Sequence, residues 1–68
     1  MPSAVIRSFR YDADARELHV TFVSGRRYAY RDVPPDLAEG LRLAFAKGAY
    51  FNRHIRDCFS FTAGADAD

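Results

Sequence analysis

"ELHVTFVSGRRYAYRDVPP", residues 17–35, is the stretch whose reading decides the fold. Its first part alternates: Leu18, Val20 and Phe22 share one face, and Glu17, His19, Thr21 and Val23 the other, as a half-buried strand requires. Ser24-Gly25 marks a reverse turn, and "RRYAYRD" (26–32) returns as a further strand. The length of the turn settles which way Tyr28 and Tyr30 point. With a two-residue loop at Ser24-Gly25, Val20 faces Ala29 and the tyrosines lie away from the apolar face, as a platform on which bases would stack. With a three-residue loop, Val23-Ser24-Gly25, Val20 faces Tyr28, Leu18 faces Tyr30 and the rings join the core, since directly opposed residues share a face. Glycine as the last loop residue suits the three-residue form, whereas two-residue loops favour Gly with Asn or Asp. The three-residue loop is the better fit. Tyr28 is then expected to be largely buried against Val20, the tyrosine hydroxyls to reach an edge, and Arg27, Ala29 and Arg31 to point to the opposite face.

Upstream, "AVIRSFRY" (4–11) reads as a strand, with Val5, Arg7, Phe9 and Tyr11 alternating against Ile6, Ser8 and Arg10. "DADAR" (12–16) is a turn-rich connection, and Asp12 with Asp14 reads as turn chemistry rather than an acid–base pair. Downstream, Val33-Pro34-Pro35 ends the sheet, and Pro35 suits a first helical position. Leu37, Leu41, Ala44 and Phe45 recur at helical spacing, with Asp36 and Glu39 in the first turn, where the helix dipole favours negative charge. Gly40 weakens this helix by roughly 1 kcal/mol relative to Ala. Gly48 breaks the pattern, and a second short helix is predicted over 49–57. Tyr50, Phe51, His54 and Ile55 form its apolar face, with Ala49, Asn52, Arg53 and Arg56 opposite. "CFSFT" (58–62) is read either as cover for the core edge or as a short strand, and 63–68 as a disordered acidic tail. The expected fold is α+β: a three-stranded antiparallel meander followed by two short helices packed on one face, in a single domain over 1–62.

The chain has 68 residues, enough for one domain whose stability margin is thin, and it compensates with four Tyr and six Phe. Net charge is +1, but residues 24–56 carry +4 and residues 57–68 carry −3. A basic, arginine-rich middle fits an anionic partner; the plainer account is a solvated surface. Cys58 is the only cysteine, which excludes an intrachain disulfide and points to a reducing compartment. No apolar run has the length of a signal peptide or of a bilayer span. The expectation is a cytoplasmic monomer away from the membrane.

The string "YDADARELHVTFVSGRRYAYRDVP" followed by "AKGAYFNRHIRDCF" resembles the KTSC domain, a small domain also found at the C-terminus of some lysyl-tRNA synthetases. The resemblance covers residues 4–61. The family's Tyr-x-Tyr matches Tyr28 and Tyr30, its Asp-Val-Pro matches Asp32, Val33 and Pro34, and its Lys-Gly-x-Tyr/Phe-Phe-Asn with a downstream Ile-Arg matches Lys47, Gly48, Tyr50, Phe51, Asn52, Ile55 and Arg56. Ala46 departs from the family's common Ser, which removes a hydroxyl cap ahead of the second helix. The resemblance implies an accessory domain for which RNA binding, tRNA by association, has been suggested.

No catalytic or cofactor signature stands in the chain. His54 and Cys58 lie four apart, but His19, His54, Asp57 and Cys58 have no zinc spacing, and Cys58 beside Phe59 reads as a small buried hydrophobe. The candidate functional set is basic: Lys47 beside a helix N-terminus expected near Ala49, Asn52, Arg53 and Arg56 on the polar helix face, and Arg27 and Arg31 from the sheet. The plainer account has Gly48 as a left-handed cap and Arg53 and Arg56 paired with carboxylates. Two function classes follow: an RNA-binding accessory module whose arginines hold phosphates, and a protein-interaction module without nucleic-acid binding.

Overall fold

The computed structural model describes residues 6–63, and the alternating segment at Glu17–Phe22 lies inside its sheet. The expected strand positions Ala4 and Val5, and residues 64–68 of the expected tail 63–68, lie outside the described residues; Ala63, the first residue of that expected tail, is in a strand. Four strands run β1 (Ile6–Asp12), β2 (Glu17–Phe22), β3 (Arg27–Tyr30) and β4 (Phe61–Ala63), with α1 (Pro35–Leu43) and α2 (Lys47–His54) inserted before the last. The sheet is antiparallel throughout, in the order β1-β2-β3-β4.

The hairpin between β2 and β3 takes the three-residue loop. Leu18 opposes Tyr30 and Val20 opposes Tyr28. Gly25 sits at φ 96°, its N–H donates to the Phe22 carbonyl at 2.8 Å, and the Phe22 N–H donates to the Arg26 carbonyl at 2.9 Å. Glycine is required there because a left-handed φ crowds any Cβ. The two tyrosines join the apolar face, but unequally. Tyr30 is only 3% exposed, whereas Tyr28, expected to be largely buried, is half-buried. The cause is position: Tyr28 stands nearer the hairpin, with ring neighbours Phe22 (5.6 Å) and Phe61 (5.2 Å), and Phe61 is itself exposed. Tyr30 meets Phe51 of α2 edge-on at 5.2 Å.

β1 departs from simple alternation. Phe9 opposes Val20 and Tyr11 opposes Leu18, but the register shifts between Ile6 and Ser8, so that Ile6 opposes Phe22. This bulge at Arg7 brings Ile6 against the core and leaves Arg7 exposed. The turn after β1 is built as its composition implies, with the Asp12 carboxylate accepting the N–H groups of Asp14 (3.2 Å) and Ala15 (3.3 Å).

The three-stranded sheet of the sequence reading gains a fourth strand. Phe61 opposes Tyr30 and Ala63 opposes Tyr28, while the Arg31 N–H extends the ladder to the Ser60 carbonyl at 2.9 Å. Without this strand β3 would be an edge of unpaired backbone groups. Of the two readings of "CFSFT", the strand is correct, displaced to Phe61–Ala63.

The Asp32-Val33-Pro34 corner turns the chain from sheet to helix. Asp32 takes φ 62°, a left-handed conformation its short polar side chain tolerates. Val33 is fully buried, its N–H bonded to the Arg16 carbonyl (3.0 Å) and its carbonyl to the Tyr11 hydroxyl (2.6 Å). α1 starts as expected with Pro35 at its head and Asp36 in its first turn. It ends at Leu43, so Ala44 and Phe45 do not continue the apolar stripe. Leu37, Ala38 and Leu41 face inward instead, and Phe45 is fully exposed.

α2 begins at Lys47, two residues earlier than expected, and ends at His54 rather than 57. Gly48 lies inside it with an ordinary helical backbone and is not a left-handed cap. Its N-cap, Ala46, makes no side-chain cap bond, the loss anticipated from a methyl in place of a hydroxyl. The core closes with Leu18, Val20, Tyr30, Val33, Leu41, Phe51 and Ile55.

Candidate functional site

Both helices pack on the face that carries Leu18, Val20 and Tyr30. Among the described residues no helix covers the opposite face of the sheet. Its residues follow from the register: Ser8, Thr21 and Arg27 form one cross-strand row, and Arg10, His19, Ala29 and Thr62 the next. Arg31 continues the phase of Arg27 and Ala29 and donates from Nη1 to Thr62 Oγ1 at 2.6 Å. A depression of about 400 Å³ runs over Ser8, Arg10, His19, Thr21, Arg27 and Ala29, with Phe9, Val20 and Tyr28 also in its lining.

The charge on this face is positive. Arg10, Arg27 and Arg31 are exposed, and none is in an ion pair among the described residues. Glu17, at the end of the same phase on β2, lies 3.3 Å from Nε2 of His19, and Asp12 opposes it on β1, so two carboxylates temper the face there. The rings lie on the other side of the sheet: Phe9, Phe22, Tyr28 and Tyr30 pack toward the helices.

The six basic and polar residues singled out from the sequence do not converge. Arg27 and Arg31 lie on the open sheet face, as the three-residue loop requires. Lys47, Asn52, Arg53 and Arg56 lie on the helical side. Lys47 is committed to the fold, for its half-buried ammonium donates to the Ala44 carbonyl at 3.0 Å, just beyond the end of α1. Arg56 falls past the end of α2, so the polar helix face is shorter than expected; its Nη1 donates to Asn52 Oδ1 at 3.4 Å rather than to a carboxylate. Arg53 is exposed.

Sequence reasoning missed Arg10, His19, Ser8 and Thr21. Their signal was present: each alternates out of the apolar phase of its strand, and the β1–β2 register aligns Arg10 with His19. Cys58, expected to be buried, is exposed, because the chain turns outward after Ile55. Among the described residues no three His, Cys, Asp or Glu side chains group closely enough to hold a metal ion, and no helix is long and apolar enough to cross a membrane.

Among the described residues three titrating groups feel the fold: Tyr30, Glu39 and Arg42. Burial pushes the Tyr30 hydroxyl above its ordinary value, helped by Tyr28 and Asp57 and opposed by nearby Arg56. On the exposed side of α1, the hydrogen bond from Arg42 lowers the Glu39 carboxyl, with Arg42 Nε at 3.0 Å from Oε1.

Comparison with known proteins gives four matches. The family pattern described as the KTSC domain matches residues 2–59. A lysine–tRNA ligase of Nostoc punctiforme is 40% identical over 58 residues, which is 85% of this chain but 10% of that protein. An uncharacterized protein of Stutzerimonas stutzeri is 38% identical over 53 residues, 78% of this chain and 75% of that one. The crystal structure of a KTSC domain protein from Yersinia pestis superposes with a TM-score of 0.82 at 31% identity, covering 93% of this chain and 89% of that chain. The chain thus spans about a tenth of the ligase it matches and most of the two small proteins.

Proposed function

The chain belongs to the KTSC domain family, and on that footing we propose that it is a small, non-catalytic accessory domain of the cytoplasm, acting as a monomer, that binds RNA through the open face of its sheet. The observation that carries this reading is the presentation of Arg10, Arg27 and Arg31 on one uncovered face, with no ion-pair partner among the described residues. Four residues along a strand span about 13 Å, so Arg27 and Arg31 reach separated phosphates rather than one. Guanidinium groups suit that task because their N–H forks bind phosphate oxygens in pairs. The similarity to part of a lysine–tRNA ligase supports RNA as the anion. Arg53, Arg56 and Asn52 form a smaller polar strip on the helical side, and Lys47 serves the fold first.

The test is a binding titration against structured RNA at two salt concentrations, with the Arg10→Gln, Arg27→Gln double variant beside the parent. Affinity should fall steeply with salt, and the double variant should bind more weakly with a salt slope smaller by about two units. Equal binding by parent and variant would remove the site.

A second reading is a protein-interaction module. It rests on Phe45, fully exposed between the helices, with Leu43 beside it at 67% exposure. An apolar interface of that kind would hold its affinity as salt rises, and Phe45→Ser would abolish it.

A further inference from the structure

We infer that the RNA held by this face is double-stranded, read through its A-form backbone and 2′-hydroxyls rather than through its bases; the inference rests on the RNA-binding reading above. Single-stranded RNA is bound by stacking unstacked bases on exposed rings. Among the described residues the open face has no phenylalanine or tyrosine ring; its one ring is the His19 imidazole, which lies 3.3 Å from the Glu17 carboxylate. Its two central rows are Ser8, Thr21, Arg27 and Arg10, His19, Ala29, Thr62, and Phe9, Phe22, Tyr28 and Tyr30 all turn to the core side. What the face offers is guanidinium groups on either side of β2, with hydroxyls among them.

The arrangement has a definite order. Arg10 on β1, and Arg27 on β3 with Arg31 just past its end, flank the β2 residues His19 and Thr21. Two strand spacings separate β1 from β3, so the arginines stand roughly 10 Å apart across the sheet. Charges at that spacing meet phosphates on both sides of a groove. The Thr21 hydroxyl lies in the space between, and that of Ser8 stands across from it on β1, where they can donate to or accept from ribose 2′-hydroxyls. An open sheet face with charges at that spacing fits the wide, shallow minor groove of A-form RNA. It does not enter the minor groove of B-DNA, which is about 6 Å wide. No side chain on this face is placed to probe a major-groove base edge, so recognition is of shape and not of sequence.

The test uses the full chain and three labelled probes: a blunt RNA duplex of about 16 base pairs, one of its strands alone, and the DNA duplex of the same sequence. Anisotropy should show the RNA duplex bound at least about tenfold more tightly than either other probe, and equally well when its sequence is scrambled. Thr21→Val keeps the strand and removes a central hydroxyl; it should narrow the gap between RNA and DNA duplexes. Arg27→Gln should weaken both duplexes alike, and Arg53→Gln, on the helical side, should leave both unchanged. If the single strand binds as tightly as the RNA duplex, the duplex inference is wrong while RNA binding stands. If DNA and RNA duplexes bind equally, the A-form argument is overturned. If no probe binds at low salt, the RNA reading itself falls with it.

Discussion

The Tyr50 ring lies directly against Gly40, and its hydroxyl donates to the Leu37 carbonyl at 3.1 Å. A Cβ on Gly40 would overlap that hydroxyl and crowd the ring carbon that bears it. Helix propensity alone favours Ala at this position by about 1 kcal/mol. Contact with α2 reverses the preference, because Tyr50 is held by its hydrogen bond and by His54, whose ring centroid is 4.5 Å away. Gly40→Ala should therefore destabilise the domain by about 1–3 kcal/mol, the usual range for overpacking. Urea denaturation checks this; a stabilised variant would mean that Tyr50 moves aside freely.

The two tyrosines of β3 should differ when truncated. Tyr30 is sealed beneath Phe51, so Tyr30→Ala should cost about 3–5 kcal/mol, as core aromatic deletions do. Half-buried Tyr28 keeps part of its surface in water in the folded state, and Tyr28→Ala should cost clearly less. Chemical denaturation of both variants provides the ranking, and a larger loss for Tyr28 would contradict the packing described.

Stability should fall at alkaline pH through Tyr30. Its hydroxyl is raised in the folded chain by burial, so folding favours the protonated form. The contribution is fully present below the unfolded value near 10 and is lost as pH rises from there through the raised folded value. Tyr30→Phe should soften the alkaline loss while leaving neutral-pH stability within about 1 kcal/mol, the size of one ordinary hydrogen bond. Absorbance titration should show a late-ionising tyrosine in the parent that the Tyr30→Phe variant lacks.

Lys47 and Arg27 should separate stability from binding. Lys47→Met removes a charge-assisted bond to the Ala44 carbonyl and should cost about 1.5–3 kcal/mol at most, with RNA affinity little changed. Arg27→Gln touches an exposed strand position and should keep stability within about 0.5 kcal/mol while weakening binding. Thermal melts and anisotropy on the same two proteins test the pair; a binding defect in Lys47→Met alone would return the site to the helical side.

The register of the central hairpin was legible because it is a local matter. Alternation in Glu17–Phe22 and a glycine at the third loop position are enough to place Tyr28 and Tyr30 opposite Val20 and Leu18, since strand periodicity allows only two faces. The head of α1 was legible for the same reason: Pro35 and Asp36 act within one turn. The family relationship was legible in the order and spacing of short motifs, and residues 2–59 carry it.

The rest was decided by contacts between segments far apart in sequence. No breaker residue stops α1 at Leu43. The chain leaves the helix where Lys47 bonds Ala44 and Tyr50 bonds Leu37, so Gly48 is helical and Phe45 faces water. β4 forms because Tyr28 and Tyr30 present an open edge to Phe61 and Ala63, more than 30 residues later. The basic residues followed the same logic. Their number and their segment could be read from composition, but a charge has no periodic partner to fix its direction. Which arginines share a face depends on strand register and on which side the helices cover. By itself the sequence determined the hairpin, the family and the core-forming rings. Only the tertiary structure placed Arg10 beside Arg27 and Arg31 and drew Lys47 away from them, because long-range packing chooses the buried face and leaves the other to solvent.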